Sequence, residues 1–105
     1  LALARAQRAQ TARLLIETRN EADTVITHVE RALTQGRRLI DDAECASITT
    51  ALGALKAARE STDRDRIREA TIAMNHATEH LAELMMDAAL KGALASRRAD
   101  EIMEK

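Results

Sequence analysis

"IREATIAMNHATEHLAELM", residues 67–85, decides the fold class of this chain. Apolar side chains recur every third or fourth position, at Ile67, Ala70, Met74, Ala77, Leu81 and Leu84, and continue to Ala88. At 3.6 residues per turn they form a stripe along one helix face, with charged and amide groups on the others. A strand would alternate with a period of two, and this stretch does not. Just upstream, Ser61-Thr62-Asp63 offers side-chain oxygens to cap the first turn. The pattern predicts a helix over 63–91 that bends or stops near Lys91-Gly92, then a short last helix over 93–104.

The same period runs through the rest of the chain. Leu15, Ala22, Val25, Ile26, Val29, Ala32 and Leu33 lie on one face of a helix predicted over 1–35. Gly36 stands where a left-handed C-terminal cap would sit. Asp41 and Glu44 then have capping-box spacing for a second helix over 41–60, with Ile48, Ala51, Leu52, Leu55 and Ala58 along its apolar face. Short connections make these helices antiparallel neighbours. The expected architecture is all-α, an antiparallel three-helix bundle with an overhanging first helix and a short additional C-terminal one.

The overhang follows from length. At about 1.5 Å per residue the first helix spans roughly 50 Å and the second under roughly 30 Å. Residues 1–13, "LALARAQRAQTAR", carry little to bury, and a lone helical overhang is marginal in water. Something outside the sequence is expected beneath it. A chain that starts at Leu1 suggests a piece of a longer protein.

Composition agrees with helices. There is no proline, glycine occurs 3 times, and the aromatic content is 0%, so the core must be aliphatic. A formal net charge of −1, from 16 basic and 17 acidic residues, lacks the basic excess of a nucleic-acid module. Arg5, Arg8 and Arg13 precede the first acid, Glu17, but have neither interleaved aromatics nor an apolar face suited to lipid. Cys45 is the one cysteine, so no internal disulfide can form. No run is long enough to span a membrane, and no signal peptide is visible.

Several residues invite a chemical reading. His76, Glu79 and His80 in "HATEH" match the H-x-x-E-H signature of inverted zinc proteases. A catalytic zinc needs a third protein ligand and a water-excluding cleft. Helical periodicity instead turns His76 and Glu79 to the polar side and His80 to the flank, as surface residues. Asp41, Asp42 and Glu44, with Asp63 and Asp65, fall at helix starts, where acids cap amides and meet the positive end of the dipole. Acidic neighbours oppose thiolate formation at Cys45, which reads as a half-buried apolar residue. Met85 and Met86 read as core or flank packing. No catalytic, cofactor-binding or metal-binding residue is expected.

Taken in order, these segments resemble a known family. "LLIETRNEADTVITHVERAL", residues 14–33, is similar to the long lid helix of the DnaK-type (seventy-kilodalton heat-shock) chaperones, which reads like "ETRNQADSLIYSTEKAL". Thr27 stands where that family has tyrosine. A turn from Gly36 to Leu39 follows, then "ITTALGALKAA", residues 48–58, which resembles the family's "IEAALAALKEA". An acidic turn, Thr62 to Asp65, leads into the helix quoted first. Beyond it, Met86-Asp87, Ala93-Leu94 and Asp100-Glu101-Ile102 resemble the helical ending of the HscA group, "MD…AL…DEV", whose members serve iron–sulfur cluster assembly.

The resemblance implies a C-terminal helical lid that closes over client peptide and slows its release. It implies a bacterial cytoplasmic parent whose ATPase and β-sandwich substrate domains lie outside this chain. ATP would then be the parent's cofactor, and this piece would be non-catalytic. Its partners would be the client polypeptide, the substrate domain of the same parent and an iron–sulfur scaffold protein, with no nucleic acid and no membrane. Two alternatives stay open: the lid of a general DnaK chaperone, and a stand-alone helical module that self-associates through its uncovered first helix.

Overall fold

The computed structural model describes the backbone of residues 2–103 and the side chains of residues 2–99. Helix α1 runs Ala2–Gly36, a 3-10 turn spans Arg37–Leu39, and α2 runs Asp42–Arg59. Helices α3, Arg64–Ala77, and α4, Glu79–Met103, complete the chain. Among the described residues there is no strand. The protein is an all-α helical bundle.

Its core is where the stripes converge. Ala22 and Val29 of α1, Ile48, Leu52 and Leu55 of α2, Ile67 and Met74 of α3 and Leu81 of α4 are buried together, with Ile40 from the turn. Leu15, Val25, Ile26, Ala32 and Leu33 pack against this cluster, as does Cys45. The side chains are aliphatic, so each contributes about 1.5–3 kcal/mol on burial, and small residues bring the helices close. α2 runs antiparallel to α1: Lys56 near its end lies 3.8 Å from Glu30, and Arg59, further on, reaches back to Asp23. No buried side-chain nitrogen or oxygen among the described residues lacks a hydrogen-bond partner.

The helix starts are held by the acids that the sequence singles out. Asp41 Oδ1 accepts from the Glu44 amide at 2.8 Å, and Asp63 Oδ1 from the Asp65 and Arg66 amides at 3.1 and 3.3 Å. The Asp41–Glu44 pair has only this half of a capping box to offer α2, because the Glu44 carboxylate turns to His80 instead.

Three local expectations are corrected. Gly36 is not a left-handed cap: its φ is −110° and ψ 10°, and no described residue has positive φ. It is small because α4 crosses there. A Cβ on Gly36 would stand 2.9 Å from Leu81 Cδ1 and 3.0 Å from Met85 Cγ and Sδ.

The break expected near Lys91-Gly92 is absent, and the helix expected over 63–91 divides earlier, at Thr78. The Thr78 hydroxyl lies 3.1 Å from the Met74 carbonyl and 3.2 Å from that of Asn75, where it competes for acceptors used by the helix. Its own backbone closes α3 with φ −99° and ψ 0°. Gly92 has nothing within 4 Å of the place a Cβ would occupy and lies inside α4. The separate helix over 93–104 is therefore the continuation of α4 to Met103, and residue 104 lies outside the described residues.

The third correction concerns packing beyond Met85. Met86 and Ala88 were expected to contribute to the core or its flank, yet both are exposed, Met86 at 67%. The bundle thus ends about one turn after Leu81. α4 leaves it beyond the C-terminal end of α1, while α1 enters it from the other end. The result is a body 78 × 32 × 16 Å, longer than α1 alone.

Candidate functional site

Among the described residues nothing covers the first third of α1. Every side chain from Ala2 to Arg13 is exposed, Leu3 at 71%. Its side-chain bonds are local: the Arg8 Nε donates to the Ala4 carbonyl at 3.4 Å and the Thr11 hydroxyl to that of Gln7 at 2.9 Å. Arg5, Arg8 and Arg13 give this arm its positive sign.

Where the arm joins the bundle, α1 is fixed firmly. Thr18 is 5% exposed, and its hydroxyl donates to the Leu14 carbonyl at 2.8 Å while accepting from Arg64 Nε at 3.3 Å. Arg19 reaches across to the end of α2, donating from Nε to the Arg59 carbonyl at 3.1 Å and from Nη2 to that of Ser61 at 2.7 Å. Those carbonyls have no helical amide to meet, so Arg19 does for the end of α2 what a cap does from within. One turn on, Asp23 takes both branches of the Arg59 guanidinium, Nε to Oδ1 at 2.8 Å and Nη2 to Oδ2 at 2.9 Å. Hydrogen bonding from Arg59 holds the Asp23 carboxyl below its ordinary range. Thr18, Arg19 and Asp23 belong to the segment "TRNEAD", which sequence reasoning used for its resemblance without assigning these residues a task. Helical spacing could have found part of it, since residues 19 and 23 share a face.

The chemical candidates separate. His76 points to solvent with Nδ1 3.4 Å from Glu79 Oε2, both side chains mostly exposed. His80 turns to a different partner, its Nδ1 lying 2.8 and 3.0 Å from the two carboxylate oxygens of Glu44. An ionised carboxylate can only accept, so the ring donates from Nδ1. This contact joins the start of α4 to the start of α2, a link that sequence periodicity did not reveal. Among the described residues no group of three or more His, Cys, Asp or Glu is placed to hold a metal ion. Asp42 pairs with Arg37, and Cys45 is half-buried at the core edge.

A shallow groove of about 200 Å³ runs between α1 and the α3–α4 joint, lined by Val25, His28, Val29 and Ala32 on one side and Leu81, Ala82 and Met85 on the other. His28 is its one titratable group, so the groove holds no acid–base pair. Among the described residues no helix is long and apolar enough to cross a membrane. The arrangement is a helical bundle that presents two exposed helical arms.

Known proteins are similar to this sequence. The family model described as "Hsp70 protein" matches residues 2–87. The chain is 39% identical over 90 residues to the chaperone protein HscA homolog of Azoarcus sp. (strain BH72), covering 86% of this chain and 14% of that protein. It is 37% identical over 91 residues to the homolog of Burkholderia multivorans, with 87% and 15% covered. With that of Methylobacillus flagellatus it shares 40% over 87 residues, 82% and 14% covered. No solved structure matches it significantly. The chain thus spans about one seventh of the length of these relatives. On the match across both the bundle and the arm that leads into it, the chain belongs to the Hsp70 family of chaperones.

Proposed function

We propose that this chain is the C-terminal helical lid of an HscA-type chaperone, closing over client peptide held by a substrate domain elsewhere in a longer, cytoplasmic protein. The observation that carries the reading is the free arm, residues 2–13, on a helix otherwise clamped by Thr18, Arg19 and Asp23. A helix half bare and half anchored suits a part that reaches over a second body while the bundle moves as one piece. In this role the lid does no chemistry. ATP belongs to the parent's nucleotide domain, and the lid lengthens the residence of bound peptide by slowing its escape. That these relatives are HscA homologs supports HscA over general DnaK, and with it a part in iron–sulfur cluster assembly with a scaffold protein as client.

The intact mass of the endogenous protein, captured from its host with an antibody against this sequence, tests the proposal. A chain several times longer that binds ATP is expected. A native chain of 105 residues would overturn the lid reading and favour a self-associating module.

A further inference from the structure

From Met86 to Ala99 every side chain of α4 is exposed, yet the segment is not polar. Asp87, Lys91, Ser96, Arg97 and Arg98 are its only polar residues. Met86, Leu90 and Leu94, at i, i+4 and i+8, are exposed at 67%, 58% and 61%. Helical geometry puts this stripe roughly opposite Leu81, on the side turned away from the bundle. A helix apolar around so much of its circumference is ordinarily covered by another.

The charges indicate what covers it. From Glu79 to Ala99 the acids come first, at Glu79, Glu83 and Asp87, and bases follow at Lys91, Arg97 and Arg98; two further acids, Asp100 and Glu101, come after them. The segment from Glu83 to Arg98 complements itself when reversed. With Leu90 on a two-fold axis, Leu90 meets its own equivalent, Met86 faces Leu94 of the second copy, and Glu83 falls opposite Arg97 at both ends. A parallel pair in register would set Asp87 against Asp87 and Lys91 against Lys91. The isologous, antiparallel arrangement satisfies the apolar stripe and the Glu83–Arg97 charges together, and only beyond that segment does it set two acids, Glu79 and Glu101, opposite each other.

We propose that the α4 segment from Glu83 to Arg98 is a pairing surface for a second copy of this chain, antiparallel and centred on Leu90. The surface is distinct from the free arm of α1, and the inference does not rest on the lid reading. A pair of helices about four turns long lies below the size of a strong protein interface, so association at roughly 10–300 μM is expected.

Sedimentation equilibrium of the 105-residue chain tests this, with interference optics because there is no aromatic to absorb. Leu90→Glu should raise the dissociation constant at least roughly thirty-fold while far-ultraviolet melting stays unchanged, since Leu90 is exposed and lies outside the core cluster. Glu83→Arg should weaken pairing roughly ten-fold, and adding Arg97→Glu should restore it. Leu3→Glu should leave it unaltered. In a Cys45→Ala background, Leu90→Cys should oxidise to a disulfide dimer, whereas Met86→Cys should do so only when mixed with Leu94→Cys. A monomer at about 500 μM, a dimer that survives Leu90→Glu, or one abolished by Leu3→Glu would each overturn the proposal.

Discussion

Leu81→Ala tests whether α4 is held to the bundle as described. Leu81 is fully buried, and its Cδ1 packs into the space left by Gly36. Truncation removes three carbons, worth about 2 kcal/mol in transfer alone, and leaves a cavity whose cost brings such changes to about 2–5 kcal/mol. The groove beside it, with flexible Met85 on its wall, allows partial collapse, so the expected loss is about 3 kcal/mol. For a domain of this size that corresponds to a fall in Tm of roughly 10–25 °C. Urea unfolding followed by far-ultraviolet circular dichroism measures it, with His76→Ala as the control. The His76 side chain is 83% exposed, and its loss should fall within about 0.5 kcal/mol of the parent. Equal small effects at the two positions would refute the core assignment.

Two further perturbations probe other features. Asp23→Asn should lower stability at neutral pH. The folded-state carboxyl titrates below its ordinary value, so its contribution is present above that value and is lost as pH falls through the depressed one. The gap in Tm between parent and variant should therefore narrow as pH falls through and below the usual carboxylate range, and a constant gap would refute the role given to Arg59. Gly36→Ala should destabilise by about 1 kcal/mol, since contact with Leu81 and Met85 outweighs the gain in helix propensity. Gly92→Ala, in open space, should instead raise helicity, and a loss of helicity there would contradict a continuous α4.

The parts of the fold that were legible in the sequence are those set by local rules. Ile67, Met74 and Leu81 share a face because the helix has 3.6 residues per turn, and Asp41 and Asp63 cap because their side chains reach nearby amides. Gly36 shows the limit: its position was correct as a helix end, but the reason for it is a contact with residues 81 and 85, which no local window contains. The Arg19 bonds to the Arg59 and Ser61 carbonyls, and the pairing of His80 with Glu44, are likewise products of tertiary placement. Thr78 is subtler. Thr11, Thr24, Thr27 and Thr34 make the same hydroxyl bond to the carbonyl four residues back and interrupt nothing. Thr78 differs in also reaching Asn75, at the point where α4 must turn onto the end of α1. Gly92 misled in the other direction, since a glycine with no neighbour neither requires a turn nor prevents a helix.

The two free ends of this molecule give it the proportions of a lever. Its bundle is short and well packed, whereas its full length is 78 Å. A rotation of about 10° imposed at the beginning of α1, the size of an ordinary rigid-body adjustment, sweeps the far tip of α4 through about 14 Å. From Thr18 onward little of that travel is lost to bending, because Thr18, Arg19 and Asp23 brace α1 against α3 and the end of α2. A small angular signal at one end therefore arrives at the other as a displacement wider than a helix.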